Sequence, residues 1–290
     1  MGSMLSIPED ISLDQTTYRI LSYNVEWGFL NVPDDINSDS CGHPIPHTTE
    51  AQQTHLTLIS KNIGIINPDI CFLQEMGSLA AVKFISDKLK ALFNVDYDIA
   101  YSNGTETGQQ GVGLLIRSEV GNKCKVVNIP NFKLNRALGI TLEEESRTYK
   151  IVGVHLKSLY DGKTQKDEEE QSEQIQSVID WINGSDDAIV CGDFNNVPTS
   201  SPIKKMTDAG YTGVLSSDKY IPNITGNTYT EFHGNSGKES GSRIDYIFKT
   251  GDVDLVSSHI VDLVRESPTH DPNLRGETSD HLPVLAIFEL

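Results

Sequence analysis

The sequence is short of basic residues, and this shortage limits the partners that it can bind. It holds 23 Lys and Arg against 41 Asp and Glu, which gives a net charge of -18 at pH 7. Such a charge repels a polyanion unless a local basic patch overrides the global field. We therefore expect long duplex DNA to be disfavoured as a partner.

Long apolar runs are missing as well. No segment approaches the roughly 20 apolar residues of a transmembrane helix, and the first residues lack the basic and apolar regions of a signal peptide. We expect no membrane span, and a soluble protein that is either cytoplasmic or secreted with its leader removed. No feature of the sequence indicates an oligomeric state.

Cysteine is scarce, and the four cysteines do not suggest a zinc site. Cys71 and Cys191 lie inside apolar, strand-like runs, and their spacing resembles no zinc motif. We interpret both as buried thiols.

No internal repeat, low-complexity linker or clear domain boundary divides the chain. Its 290 residues suit one large α/β domain or two small ones. Met1, Gly2 and Ser3 ahead of Met4 are typical of a cloning remnant. We assign residues 1–16 to a tag remnant and N-terminal extension, and residues 17–290 to the folded domain.

The most informative stretch is residues 189–198, where a short apolar run ends in an acidic and amide-bearing turn. The run is rich in β-branched residues and predicts a buried strand. Asp193 and Asn195 are two residues apart, so in an extended chain both side chains leave the same face. This pair suits the activation of a water molecule beside a second polar group. Ordinary turn chemistry explains Gly-Asp-x-Asn equally simply.

Polar residues also stand at the ends of the other predicted strands. Those strands are residues 18–27, 69–75, 148–156, 243–248 and 282–290. The polar residues are Asn24, Glu75, His155, Asp193, Asn195, Asp245, Asp280 and His281. If the strands lie side by side, these residues converge at one edge of the sheets, and we call the opening between them the mouth. Hard oxygen ligands such as those of Glu75, Asp280 and Asn24 suit Mg²⁺ or Mn²⁺.

Helices are predicted between several of these strands. Apolar residues recur at helical spacing in residues 50–67, 79–92, 175–182 and 202–209. His55 is predicted on the surface of the first helix, and Leu79 and Leu92 on the apolar face of the second. Residues 28–47 lack periodicity, and a loop of that length is a candidate rim of the site.

Six blocks in the chain resemble one family, in that family's order. They are Leu21-Ser22-Tyr23-Asn24, Leu73-Gln74-Glu75, Val154-His155-Leu156-Lys157-Ser158, Gly192-Asp193-Phe194-Asn195, Arg243-Ile244-Asp245-Tyr246-Ile247-Phe248 and Ser279-Asp280-His281-Leu282-Pro283-Val284. The set resembles the endonuclease/exonuclease/phosphatase superfamily, which has the deoxyribonuclease I-like fold. The resemblance implies a single α/β domain, a four-layer sandwich of two mixed β-sheets packed face to face with helices outside.

The resemblance also implies roles for five of these residues. Asn24 and Glu75 would be metal-site residues, with Asp280 completing or neighbouring the site. Asp193 would orient or deprotonate the attacking water, and Asn195 would hold the scissile phosphate. The family therefore implies Mg²⁺, or Mn²⁺, as the cofactor.

Further roles fall on the histidines. His281 would contact a phosphoryl oxygen while Asp245 fixes its imidazole. His155 would donate to the phosphate or stabilise the leaving oxygen. Either Asp193 or a His/Asp pair can serve as the base, and we favour Asp193 because it stands nearest Asn195.

Three functions follow from this reading. The first is a metal-dependent phosphodiesterase or nuclease acting on single-stranded or short nucleic acid, or on a small phosphodiester. The second is a phosphomonoesterase for a small phosphorylated metabolite or headgroup. The third is a non-catalytic binding module. The acidic run 167–170 stands where similar bacterial members often carry basic residues, which disfavours a polynucleotide.

Overall fold

The computed structural model describes residues 17–30, 48–104, 110–144, 146–159, 164–183, 187–215, 230–233, 240–261 and 279–290. The predicted N-terminal extension, residues 1–16, lies outside these ranges, as do most of the predicted rim 28–47 and all of the loop 265–278.

The described residues form fourteen strands, five helices and one 3-10 turn. In chain order they are β1 (Thr17–Gly28), α1 (Thr49–Ile66), β2 (Ile70–Met76), α2 (Leu79–Phe93), β3 (Tyr97–Tyr101), β4 (Gly111–Arg117), α3 (Ser118–Gly121), β5 (Cys124–Asn128), a 3-10 turn (Lys133–Asn135), β6 (Ala137–Glu144), β7 (Arg147–His155), α4 (Gln165–Ile182), β8 (Ala188–Asp193), α5 (Ser201–Asp208), β9 (Thr212–Gly213), β10 (Glu231–His233), β11 (Ser240–Ser242), β12 (Asp245–Lys249), β13 (Asp254–Ile260) and β14 (Val284–Glu289).

The strands build two six-stranded sheets and a small hairpin of β10 and β11. The first sheet has the order β13-β14-β1-β2-β4-β3, and the second has the order β5-β6-β7-β8-β12-β9. Each sheet is mixed, because β1 and β2 run parallel, as do β7 and β8, while the other pairs are antiparallel.

Apolar packing joins the layers into one domain. A core of residues such as Ile20, Phe72 and Ile151 fills the space between the two sheets. A second cluster packs α1 and α2 on the outer face of the first sheet, and a third packs α4 and α5 on the second. The predicted four-layer α/β sandwich is therefore confirmed.

One tight contact between the two sheets lies near the strand ends that carry the predicted site residues. A Cβ atom placed on Gly153 in β7 would lie 2.0 Å from the Phe72 ring in β2. Only glycine leaves room for that ring. The contact brings the carboxyl ends of the two parallel strand pairs to one edge of the sandwich.

Most predicted elements agree with the structure to within a few residues, because long apolar periods dominate the local choice. Helix α1 begins where Thr48 accepts a hydrogen bond from the Ala51 N–H, and it ends at Asn67 in the left-handed region with φ 54°. Cys71 and Cys191 are buried free thiols, as predicted. Among the described residues, no helix combines the length and the apolar character that crossing a membrane requires.

One prediction on an individual side chain is wrong. His55 is buried, because it faces the sheet and its Nε2 lies 2.8 Å from the Val25 carbonyl oxygen. The helix predicted at 79–92 is present as α2, and Leu79 and Leu92 near its two ends are about half exposed.

Candidate active site

The register of the second sheet places three predicted site residues in one row. His155 is paired with Asp193 across the parallel β7 and β8, and Asp193 is paired with Asp245 across the antiparallel β8 and β12. All three side chains are at most 2 % exposed. Sheet pairing alone therefore assembles three of the eight predicted residues at one edge.

The first sheet contributes the opposite wall, and Asn24 joins the two walls. Its Nδ2 donates to Glu75 Oε1 at 3.1 Å and to Asp193 Oδ2 at 2.9 Å. Its Oδ1 accepts the Glu26 backbone N–H at 3.0 Å. These bonds use both amide hydrogens, so the 3.4 Å approach to His281 Nε2 is a packing contact.

Asp193 is held in a buried turn. Its Oδ1 accepts the Asn195 backbone N–H at 2.7 Å, and Asn195 Nδ2 lies 3.3 Å from its Oδ2. Burial, followed by the nearby Asp245 carboxylate, raises the pKa of Asp193 well above its ordinary value. A carboxylate with a raised pKa is a stronger base than an exposed one.

The turn also limits Asn195. Its backbone has φ 48°, so the strand no longer runs straight through Asp193, and the assumption of an extended chain is wrong here. Asn195 Nδ2 donates to the Leu156 carbonyl at 3.0 Å. Contact between this amide and a phosphate would therefore require it to give up one of these bonds.

His281 and Asp245 form a hydrogen-bonded dyad. His281 Nδ1 lies 2.8 Å from Asp245 Oδ2, which makes Nδ1 the protonated nitrogen. Burial opposes the imidazolium, yet the carboxylates of Asp245, Asp280 and Asp193 outweigh it and raise the pKa of His281 well above its usual value. Its Nε2 faces Asp280 Oδ1 at 3.7 Å and Asp193 Oδ2 at 3.9 Å.

His155, in contrast to His281, has a neutral imidazole. Its Nε2 lies 3.7 Å from Asp193 Oδ2 and 4.0 Å from Glu75 Oε1, too far for direct hydrogen bonds. Burial, followed by the positive charges of Arg136 and His281, holds the pKa of His155 well below its ordinary value. β7 ends at His155, and Lys157 beyond it pairs with Asp167 at 3.3 Å.

Carboxylates crowd one side of the mouth. Glu26 Oε2 accepts the Asp280 backbone N–H at 2.9 Å, and Glu75 is 17 % exposed beside them. Burial and the Asp280 charge raise the pKa of both glutamates, that of Glu26 to about 8. This repulsion between neighbouring carboxylates is what a divalent cation would relieve, so the donor set fits Mg²⁺ or Mn²⁺.

A second group can also be considered for a metal. Ligand atoms of Asp193, Asp245 and His281 lie within 4.8 Å of one another and could hold an ion. The 2.8 Å bond between His281 and Asp245 competes with that arrangement, because a protonated imidazole is not a ligand. On these grounds the oxygen-rich group of Glu75 and Asp280 fits a cation better.

Left-handed backbone conformations gather around the mouth. Among the described non-glycine residues that are not asparagine, positive φ occurs at Glu26 (45°), Trp27 (60°), Glu75 (61°) and Leu134 (69°). Three of these four are at the site, where β1 and β2 are interrupted by a register shift. Such conformations cost on the order of 1–3 kcal/mol each and cluster at functional sites.

All eight predicted residues thus lie at one edge of the sandwich. Glu26 also lies at this edge, and the sequence did not assign it to the site. It missed Arg136 and Gln110, which lie in a hydrogen-bonded chain that ends on Glu75. No local signal marks them, because both contacts join distant parts of the sequence.

The fold and the family model together place the protein in one class, the phosphoester hydrolases built on a sandwich of two mixed sheets. The model of the endonuclease/exonuclease/phosphatase family matches residues 21–281. The chain belongs to this family, whose members are phosphoester hydrolases. No curated protein matches the sequence.

Solved structures show the same fold at low sequence identity. An endonuclease/exonuclease/phosphatase from Bacteroides vulgatus is 18% identical, with a TM-score of 0.64 and coverage of 95% of this chain and 100% of that one. D. rerio TDP2 complexed with single strand DNA product is 16% identical, with a TM-score of 0.59 and coverage of 95% and 100%. The human Nocturnin catalytic domain with bound sulfate anion is 20% identical, with a TM-score of 0.61 and coverage of 94% of each chain.

Proposed function

We propose that this protein is a divalent-metal-dependent phosphodiesterase of the nuclease type, which cleaves P–O bonds with water activated by Asp193. The observation that carries the proposal is the convergence of a buried carboxylate, a charged His281–Asp245 dyad and a neutral His155 on one mouth. A base and two imidazole donors of different charge suit attack on a phosphoryl group.

Asp193 is the base in this proposal. Its hydrogen bonds to Asn24 and to the Asn195 N–H fix both carboxylate oxygens, while its raised pKa brings its basicity closer to neutral pH. Water placed beside Oδ2 would give its proton to this oxygen. The alternative base, His281 with Asp245, is less suitable because its imidazole is already protonated.

The histidines divide the stabilisation of the phosphoryl group. His281, charged and oriented by Asp245, donates from Nε2 to a phosphoryl oxygen as negative charge builds there. His155 is neutral and buried, so it can donate to the leaving oxygen or to a second phosphoryl oxygen without adding charge. Asn195 would hold the scissile phosphate after one of its hydrogen bonds is released.

Glu75 and Asp280, with Asn24 beside them, would hold Mg²⁺ or Mn²⁺. A bound cation supplies positive charge to the phosphate oxygens and offsets the carboxylates of the mouth. In the described conformation Asn24 directs its NH₂ group toward Glu75 and Asp193, so binding through Oδ1 requires the amide to turn over. Otherwise Asn24 acts by orienting those two carboxylates.

Single-stranded or short nucleic acid, or a small phosphodiester, is the proposed substrate class. The net charge of -18 disfavours long duplex DNA, which would meet repulsion over a large area. The structure of D. rerio TDP2 complexed with single strand DNA product, which has the same fold, supports this choice.

The test compares bis-p-nitrophenyl phosphate, p-nitrophenyl phosphate and a labelled single-stranded oligonucleotide, each with Mg²⁺ or Mn²⁺ and with EDTA as the control. We expect metal-dependent cleavage of the diesters. Turnover of the monoester alone would replace the proposal by a phosphomonoesterase, and turnover of no substrate would favour a binding module.

Asp193→Asn should lower diester turnover by roughly 10²- to 10⁴-fold, as expected when a general base is removed. The matched control is Asp180→Asn, because Asp180 is exposed and bonds only to Gln176 in the described structure. Near-normal turnover by the Asp193 variant, with the fold intact by circular dichroism, would refute the assignment of the base.

A further inference from the structure

A chain of hydrogen bonds enters the mouth from the second sheet and ends on Glu75. Arg136 lies just ahead of β6, and its carbonyl accepts the His155 N–H at 2.9 Å, so it is the cross-strand neighbour of His155. Its side chain is only 4 % exposed. Arg136 Nη2 donates to Gln110 Oε1 at 3.2 Å.

Gln110 connects Arg136 to the first sheet. It precedes β4, and its Nε2 donates to Glu75 Oε2 at 3.2 Å. A guanidinium can only donate and a carboxylate can only accept, so the Gln110 amide has one orientation that satisfies both neighbours. Arg136 therefore donates to Gln110, and Gln110 donates to Glu75.

Glu75 is consequently held at both oxygens. Oε1 accepts from Asn24 at 3.1 Å, while Oε2 accepts from Gln110 and, at 3.3 Å, from the Trp27 backbone N–H. Asn24 and Trp27 belong to β1, next to Glu75 in the same sheet. Gln110 is the link that connects this carboxylate to a cation of the second sheet.

We propose that Arg136 acts through Gln110 as a positioning residue for Glu75, and that this chain sets the affinity of the site for a divalent cation. The proposal rests on the proposed function in one respect, the assignment of Glu75 to the metal site. Neither residue needs to touch substrate. Outer-shell partners of carboxylate ligands commonly change metal affinity by about 10- to 100-fold when removed.

The experiment is a calorimetric titration of the full-length protein with Mn²⁺. Gln110→Met keeps the length of the side chain and removes both hydrogen bonds, and we expect it to weaken Mn²⁺ binding by about 10-fold. Gln165→Met is the matched control, because Gln165 makes a similar 2.8 Å bond to Glu169 on the exposed face of α4. Unchanged affinity in Gln110→Met would overturn the proposal.

A double-mutant cycle tests whether Arg136 acts through Gln110. Arg136→Met should weaken Mn²⁺ binding to a similar extent, and in the Gln110→Met background it should add little further loss, because the link is already broken. Additive losses of Mn²⁺ affinity would mean that Arg136 and Gln110 act independently, and they would overturn the proposal. Arg136→Lys retains a donor and should recover part of the affinity.

Folding and the metal assignment are separated by two further measurements. A purely structural role would lower the thermal midpoint of the metal-free variants in proportion to the loss of Mn²⁺ affinity, and this outcome would overturn positioning. If Arg136→Met does not fold, Gln110→Met and Arg136→Lys decide alone. Glu75→Gln should abolish Mn²⁺ binding. Wild-type affinity in that variant would refute the assignment of Glu75 to the metal site, and with it that part of the proposed function.

Discussion

The bond between His281 and Asp245 offers the sharpest test of the proposed chemistry. Asp245→Asn preserves the size of the side chain and leaves an oxygen that can still accept from Nδ1, but it removes the negative charge. The bond is 2.8 Å long and both partners are at most 6 % exposed, so solvent does not replace the lost interaction.

The expected loss follows from this burial. A hydrogen bond to a charged group contributes about 1.5–3 kcal/mol, which corresponds to roughly a 10- to 150-fold loss in kcat/KM if the interaction acts in the transition state. Asp254→Asn is the control, because it removes a carboxylate at the exposed start of β13.

The pH dependence of kcat/KM tests the same assignment. Asp245 helps to raise the pKa of His281, and the protonated imidazole is the form that donates from Nε2. Activity that needs this form is present below that pKa and is lost as the pH rises through it. Asp245→Asn lowers the pKa, so the alkaline limb of kcat/KM should move to lower pH.

The assay is hydrolysis of bis-p-nitrophenyl phosphate at saturating Mg²⁺, with kcat/KM recorded across the pH range for wild type and variant. A profile that superimposes on that of the wild type, with a rate within about threefold, would refute the role of the dyad. Loss of rate without a moved limb would assign Asp245 to structure alone.

Two further predictions concern the backbone and the carboxylates of the mouth. Gly192→Ala should destabilise the protein in urea by more than the about 1–3 kcal/mol of an unfavourable backbone, because Gly192 has φ 145° and an added Cβ would lie 2.0 Å from the Val154 carbonyl oxygen. Gly210→Ala should cost only the unfavourable backbone conformation, because Gly210 has φ 92° and open space around it. Gly251→Ala should be neutral. Equal losses of stability in all three variants would contradict the close contact between position 192 and the Val154 carbonyl oxygen. Because the pKa of Glu26 is raised from 4.5 to about 8, the folded metal-free protein keeps a proton that the unfolded chain loses near pH 4.5, so the thermal midpoint should fall as the pH rises from about 4.5 to about 8 and level off above that. Glu26→Gln should flatten that fall, while Glu169→Gln on the exposed face of α4 should leave it unchanged.

Much of the fold was predictable from the sequence because strand ends carry strong local signals. Apolar runs such as that before Asp193 stop abruptly in polar turns, and buried parallel strands rarely end otherwise. The common edge on which these ends meet follows from strand order, which the family resemblance supplied. The row of His155, Asp193 and Asp245 then depends on register, which no local pattern encodes.

The residues that were missed share a physical reason. Glu26 joins the mouth through its 2.9 Å bond to the Asp280 backbone N–H, a contact with a distant part of the sequence that no local pattern reports. Arg136 and Gln110 are 26 residues apart and meet through side chains alone. His55 was placed at the surface because its buried partner is a backbone carbonyl of another element, and sequence patterns do not report such bonds.

The site is divided between the sheets, and this division ties catalysis to their packing. The first sheet and the turn before β14 supply Asn24, Glu75 and His281, while the second supplies Asp193 and Asp245. Only cross-sheet bonds such as Asn24 to Asp193 at 2.9 Å and His281 to Asp245 at 2.8 Å bring the proposed base, dyad and cation site together. A shift of about 1 Å between the layers would lengthen these bonds beyond their useful range. The tight contact of Phe72 on Gly153 between the sheets therefore protects the geometry of the mouth as well as the stability of the core.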